Sequence, residues 1–300
     1  MLTMPTRSAQ RPGCPARLLA PLLLASAACL ASPLVHPRAG EELRRGYAHL
    51  AAGDGERAEV AFEHALEFAP DLPEGWNGLG VVARGRDDAA TAHRHFAHAV
   101  RLAPGFAEGH ANLGEALLTL ERTGEAVEAL RAALRIDPDL AAARQNLARA
   151  LLHLGLTEPA EREARWREAR REYLHLLESV PDSPAAHADL AFIDFLSGRF
   201  AAAERGYRRA VAVAPTAERL HGLCLTLVRL GRCGEALAAC ERCLALAPGT
   251  LGCQRSRAGA EACRDEAGFS CAENETTRAP GRDAGRFEVR RRCRSLRRGC

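Results

Sequence analysis

Not one lysine occurs among the 300 residues; all 41 basic side chains are arginine. An arginine-for-lysine bias of this kind is what a GC-rich genome produces, and it assigns no function by itself. Aromatic residues make up only 5%, which argues against a module that stacks nucleic-acid bases. No glycine-rich phosphate loop, HExxH or GxSxG motif is present, so the local signatures of phosphate-cradling, zinc-protease and serine-hydrolase sites are missing. No apolar run reaches the roughly 20 residues of a membrane-spanning helix; the longest is the 14-residue stretch Leu18–Ala31. Cysteine is absent between Cys29 and Cys224, and no CxxCH occurs, so covalent haem attachment is not indicated.

What is present is periodic. Pro70, Pro104 and Pro138 are spaced 34 and 34 residues apart, with Pro215 and Pro248 closing two later units. Small and apolar residues recur at fixed offsets before each proline. The first copy, 39–72, carries Gly46, Ala58, Phe62, Ala65 and Pro70. The second, 73–106, carries Trp76, Leu79, Gly80, Ala92, Phe96, Ala99 and Pro104; the third, 107–140, carries Leu113, Gly114, Ala126, Leu130, Ala133 and Pro138. Each copy reads as two amphipathic helices of about 14 residues. Proline ends the second helix because it lacks an N–H and restricts the residue before it. Gly53, Gly85, Gly124, Gly155, Gly198 and Gly231 fall near the expected turns, where left-handed backbone angles come easily. A helix pair cannot bury its apolar face alone, so successive copies must share one core and leave a curved surface.

Three more units follow. One spans 141–183 and is nine residues too long; the others span 184–216 and 217–250. Thr157-Glu158-Pro159 reads as an N-cap followed by a first-turn proline. A second helix over Glu158–Val180 would then be about 34 Å long at 1.5 Å per residue. It would overhang its neighbours by about two turns, as a solvated projection or as a docking prong. Residues 251–266 read as a capping helix, and 267–300 as a basic, cysteine-containing and mostly disordered tail. Seven arginines and one acid in Arg286–Cys300 make a basic end, read as solvated.

Arg7, Arg11 and Arg17 followed by Leu18–Ala31 read as an export signal over 1–31, with 32–38 as linker. The small residues before Cys29 resemble a bacterial lipoprotein cleavage site, with Ser26 where leucine is usual. Either Cys29 carries a lipid that holds the protein to a membrane, or an ordinary peptidase cuts nearby. The expected location is periplasmic or outer-membrane anchored.

Export makes disulfides plausible. Nine cysteines lie at the C-terminal end: Cys224, Cys233, Cys240, Cys243, Cys253, Cys263, Cys271, Cys293 and Cys300. Cys224 faces Cys240 and Cys243 across the two helices of the last copy, so a bridge from Cys224 to either is sterically conceivable. Three readings stay open: a disulfide-stapled cap, free cysteines replacing alanine in the core, and a metal site on Cys240-Glu241-Arg242-Cys243 that lacks a second pair. His93, His95 and His98 read as solvated histidines on an outer face, with no ligand set completed. No cofactor, metal or nucleic-acid partner is expected.

The repeat resembles the tetratricopeptide repeat (TPR) family, whose pattern is Trp at position 4, Leu-Gly at 7 and 8, Ala at 20, Phe at 24, Ala at 27 and Pro at 32. The second copy matches at every one of these positions. The resemblance implies an all-α, right-handed solenoid of about six helix-turn-helix repeats whose first helices line a concave, peptide-binding face. Carried over position by position, that groove holds Tyr47, Asn77, Arg84, Glu108, Asn112, Glu115, Gln145, Asn146, Arg149, Asp189, Phe192 and Phe195. Asn112, Asn146 and Asp189 share position 6 and resemble, in part, the asparagine ladder of the O-linked N-acetylglucosamine transferases. Phe192 and Phe195 suggest an apolar anchoring pocket, unless the long fourth unit covers them. The lysine-based carboxylate clamp of chaperone-binding TPR domains has no counterpart here. Length, repeat number and the lipoprotein-like signal are similar to TPR lipoproteins of type IV pilus assembly. The implied function is a non-catalytic scaffold that holds a protein or extended peptide during assembly of an envelope or secretion complex. The alternatives are a redox or metal module on the C-terminal cysteines, or an accessory subunit of a glycosyltransferase-type enzyme.

Overall fold

The computed structural model describes residues 36–276, with side chains through residue 265. Residues 1–31, read above as an export signal, with Cys14 and Cys29, the side chain of Cys271, and Cys293 and Cys300 lie outside the described residues. Thirteen α-helices and no strand occur among those described. They are α1 (Pro37–Ala51), α2 (Gly55–Phe68), α3 (Pro73–Gly85), α4 (Ala89–Leu102), α5 (Ala107–Thr119), α6 (Thr123–Ile136), α7 (Ala141–Thr157), α8 (Arg162–Ser179), α9 (Pro184–Leu196), α10 (Phe200–Val213), α11 (Ala217–Arg229), α12 (Cys233–Leu246) and α13 (Leu251–Thr276).

The helices pair as hairpins, α1 with α2 through α11 with α12, and each hairpin packs on the next. The odd-numbered helices also touch one another, from α1 against α3 to α11 against α13, whereas the even-numbered helices make no comparable contact. The odd helices are therefore the closely spaced inner layer and the even helices the splayed outer one, which makes the inner face concave. The fold is an all-α TPR solenoid.

Position 24 of each copy supplies the wedge. Phe62, Phe96, Leu130, Tyr173 and Cys240 are fully buried or nearly so, and Tyr207 is 6% exposed. Glycine opposite the wedge lets the helices close on it. A Cβ at Gly46 or Gly78 would lie 2.5 Å from the Phe62 ring, and one at Gly80 would lie 2.5 Å from Phe96. Position 4 ties consecutive copies together. Trp76 Nε1 donates to the Pro70 carbonyl (2.8 Å), Gln254 Nε2 to that of Pro248 (3.1 Å), and Arg144 to that of Pro138. His110 and His187 bond the carbonyls of Pro104 and Pro181 through Nε2, at 3.0 and 2.7 Å, so this nitrogen carries the proton in both. Four residue types thus perform one task, donating an N–H to the carbonyl left at the end of the preceding helix.

The fourth unit differs from the sequence expectation. Thr157 does not cap a second helix. It is the last residue of α7, and its hydroxyl donates to the His153 carbonyl (3.2 Å). Pro159 forces Glu158 into extended backbone (φ −119°, ψ 95°), which stops α7, and a 3-10 turn over Pro159–Glu161 precedes α8. Both helices are longer, with 17 residues in α7 and 18 in α8 against 13 in α9 and 14 in α10. The overhang is thus a hairpin extended by about one turn per helix. Trp166 packs against Gly155 at its base, and Arg165 pairs with Glu158 (2.5 Å) and Glu161 (3.1 Å). The capping helix also differs, running to Thr276 rather than residue 266. Gly268 costs a helix only about 1 kcal/mol, and no proline follows until Pro280.

The turns correct a third expectation. Gly53, Gly198 and Gly231 take positive φ, but so do Asp87 (59°) and Glu121 (60°) at the equivalent position. Gly85, Gly124 and Gly155 do not. The hairpin requires a left-handed residue there whatever side chain is present. Glu121→Gly should therefore stabilise the protein by up to about 1 kcal/mol, by removing the Cβ clash of a left-handed residue. The denaturation midpoint checks this; an unchanged or lower midpoint contradicts it.

At the C-terminal end, three cysteine pairs lie at disulfide-bonding distance: Cys224 with Cys240, Cys233 with Cys263 and Cys243 with Cys253. Their Cα–Cα separations are 5.5, 5.6 and 6.1 Å, within the range disulfides span. Cys224–Cys240 occupies the position 8 to position 24 contact that glycine and an aromatic ring make elsewhere. The other two pairs fasten α13 to α12. Cys240 and Cys243 thus have separate partners, which removes both the free-cysteine core and the CxxC metal pair for these residues.

Candidate binding groove

The inner faces of α3 and α5 carry a polar network. Asn112 Nδ2 donates to Asn77 Oδ1 (2.8 Å), and Asn112 Oδ1 accepts from Arg84 (3.3 Å). Arg84 also pairs with Glu115 at 2.6 Å. Asn77 is buried, and Tyr47 donates to the Glu74 carbonyl (3.3 Å). Burial raises the Tyr47 pKa, with a hydrogen bond to Asn77 opposing it. The network holds the Asn112 amide in one orientation and leaves it one N–H for a guest. Glu108 is exposed beside it.

The position-6 side chains do not form one uniform ladder. Asn146 accepts from Arg149 on its own helix (2.9 Å), and Asp189 accepts from Tyr173 Oη (2.9 Å). Gln145 is half-buried nearby in sequence on α7.

The structure brings Asp189, Phe192 and Phe195 together in the wall of a cavity of about 370 Å³ between α9 and α11. Its other lining residues are Ala185, Ala188, Tyr207, Glu218, Arg219, His221, Gly222 and Leu225. The lengthened fourth unit does not close it off. Tyr207 enters because Gly222 has no Cβ to meet its ring. Phe195 is held edge-on by Phe200 (5.5 Å between centroids). Burial raises the Asp189 pKa, partly offset by the Tyr173 hydrogen bond and by the charges of Arg149 and Arg219. Burial also lowers the pKa of His221, which favours its neutral form. Sequence reasoning missed the α11 side of the cavity. The same positions 2, 5, 6 and 9 in the sixth copy are Glu218, His221, Gly222 and Leu225, so the rule that selected Asp189 and Phe192 would have found them.

The three histidines of α4 are half-buried rather than solvated. Trp76 lies against His95 (5.6 Å, stacked) and His98 (4.4 Å), and burial lowers the pKa of His95. His95 and His98 thus pack on Trp76, while His93 lies beside Arg122. Among the described residues no cluster of three or more His, Cys, Asp or Glu side chains is placed to hold a metal ion.

Comparison with known proteins agrees with this geometry. A tetratricopeptide repeat model matches residues 117–165, and no curated protein matches the chain. Among solved structures, PilF of Pseudomonas aeruginosa superposes with a TM-score of 0.64 at 19% identity, covering 74% of this chain and 97% of that one. PilW, described as a widely conserved type IV pilus biogenesis factor, gives 0.60 at 19% identity over 73% and 98%. YrrB, described as a TPR protein with an unusual peptide-binding site, gives 0.50 at 19% identity over 60% and 89%. The chain thus carries a tetratricopeptide repeat at residues 117–165, within an all-α solenoid fold like that of PilF and PilW.

Proposed function

We propose that the protein is a non-catalytic scaffold that holds an extended segment of a partner protein along its concave face. The observation that carries this is the cavity between α9 and α11, whose wall presents the half-buried rings of Phe192 and Phe195 beside Asp189. The Asn77–Asn112–Arg84 network lies on the same inner layer and can hydrogen-bond a peptide backbone without reading side chains. Anchoring in one apolar pocket with polar contacts along the rest is how interfaces concentrate binding energy.

The setting we propose is the bacterial envelope, during assembly of a surface or secretion complex. Three features support it: the signal-like sequence at 1–31, the cysteine pairs that suit an oxidising compartment, and the likeness to PilF and PilW. Attachment through Cys29 is the corresponding proposal for membrane association. Cys29→Ser should move the protein from the membrane to the soluble fraction; sedimentation with membranes would reject the anchor.

Capture from envelope extract tests the scaffold reading. Wild-type protein should retain a defined partner set that Asn112→Ala/Asn146→Ala/Phe192→Ala loses by about tenfold or more, since hot-spot truncations typically cost about 2 kcal/mol or more. Equal recovery by both would remove the concave face from the account.

A further inference from the structure

The groove cavity has one property that a plain apolar anchor site lacks, a half-buried carboxylate in its wall. We infer that the cavity between α9 and α11 receives a basic side chain, arginine or lysine, of the bound peptide, with its aliphatic stem against Phe192, Phe195 and Tyr207 and its charged head at Asp189. This rests on the concave face being the peptide-binding surface.

Charge is the first argument. The lining carries two carboxylates, Asp189 and Glu218, and one guanidinium, Arg219. Arg219 already donates to the carbonyl of Ala214 at 2.6 Å. Burial disfavours the charged form of His221, the imidazole of the wall. The lining itself thus carries one more carboxylate than guanidinium, with Arg149 acting on Asp189 from outside it.

Asp189 is the second. An ionised carboxylate has about four acceptor sites, and the Tyr173 hydroxyl fills one. Arg149 and Arg219 act on Asp189 through charge, without a hydrogen bond to it. An apolar guest would cover the carboxylate and leave its remaining sites unmet, which costs free energy. An acidic guest would meet like charge. A guanidinium or ammonium would supply the missing donors.

Shape is the third. Arginine and lysine carry an apolar stem and a polar head. The cavity offers both kinds of surface, with aromatic rings and the small surfaces of Ala185, Ala188 and Gly222 together with a carboxylate in its wall. Aromatic faces attract the cation as well as packing on the stem.

A positional-scanning library of acetylated, amidated heptapeptides, one position fixed and the others randomised, tests this on the full chain. Arginine or lysine should be enriched about tenfold or more over glutamine and leucine at one position, as expected for a charge-assisted hydrogen bond. Asp189→Asn, which keeps the acceptor for Tyr173, should abolish that preference while peptides continue to bind and the melting temperature holds. Binding with a preference for leucine, phenylalanine or an acid, or a basic preference that survives Asp189→Asn, overturns the inference and leaves the scaffold standing. Retention of no peptide at all removes the concave-face reading and the inference with it. Binding seen only after deletion of residues 277–300 would make the chain's own arginine-rich end the occupant and overturn assignment to a partner.

Discussion

Treatment with a dithiol reductant should release the C-terminal helices while the earlier repeats stay folded. The three bridges close loops of 16, 30 and 10 residues, each contributing about 3 kcal/mol by restricting the unfolded chain. The terminal helix has little else to hold it. Among its described residues Cys253, Ser256 and Ala260 are buried, small and few, and α13 packs mainly on α11 and α12. In a solenoid each hairpin is stabilised by its neighbours, so loss at one end stays local. Hydrogen exchange measures this directly. On reduction, amides of 251–265 should lose about 100-fold or more in protection, those of α11 and α12 less, and those of α3–α6 nothing. No change in α13, or a uniform change along the chain, would contradict the stapled end.

Phe62→Ala should destabilise the N-terminal repeats by about 3–5 kcal/mol, the usual cost of emptying a buried aromatic site. The ring is 0% exposed and fits between two backbones that have no Cβ at the contact, Gly46 on α1 and Gly78 on α3. Removing it opens space that neither helix can fill. The reverse change, Gly78→Val, drives a side chain into the ring and should cost about 1–3 kcal/mol or more. Because the two positions share one contact, Phe62→Leu with Gly78→Ala should cost less than the sum of the single changes. Denaturation followed by fluorescence of Trp76, on α3 itself, in a Trp166→Phe background reads the local effect. Additive costs would mean that the ring and the glycine do not share a contact.

The helix pairs were legible because a 34-residue spacing forces each copy to repeat the same burial pattern. Phe62, Phe96 and Leu130 were visible as one position, and so were the glycines that receive them. Contacts that different side chains can satisfy were hidden. Trp76, His110, Arg144, His187 and Gln254 look unrelated, yet each bonds the carbonyl of a repeat-closing proline. Asp87 and Glu121 adopt left-handed backbone without glycine, because the hairpin dictates the turn more strongly than local preference does. Pro159 does open the turn that leads into α8, but it also stops α7 at Thr157, and only the backbone at Glu158 shows that it does both. In the groove, Phe192, Phe195 and Asp189 followed from position alone. Tyr207 did not, since it reaches the groove from the second helix through the space left by Gly222.

Photocrosslinking puts the groove itself to the test. A benzophenone side chain installed at position 195 in the cavity wall, or at exposed position 209 on the outer helix α10, is irradiated with a library-selected peptide bound. The account predicts a covalent adduct from 195 and none from 209. An adduct from 209 alone would place the peptide on the convex side and contradict it.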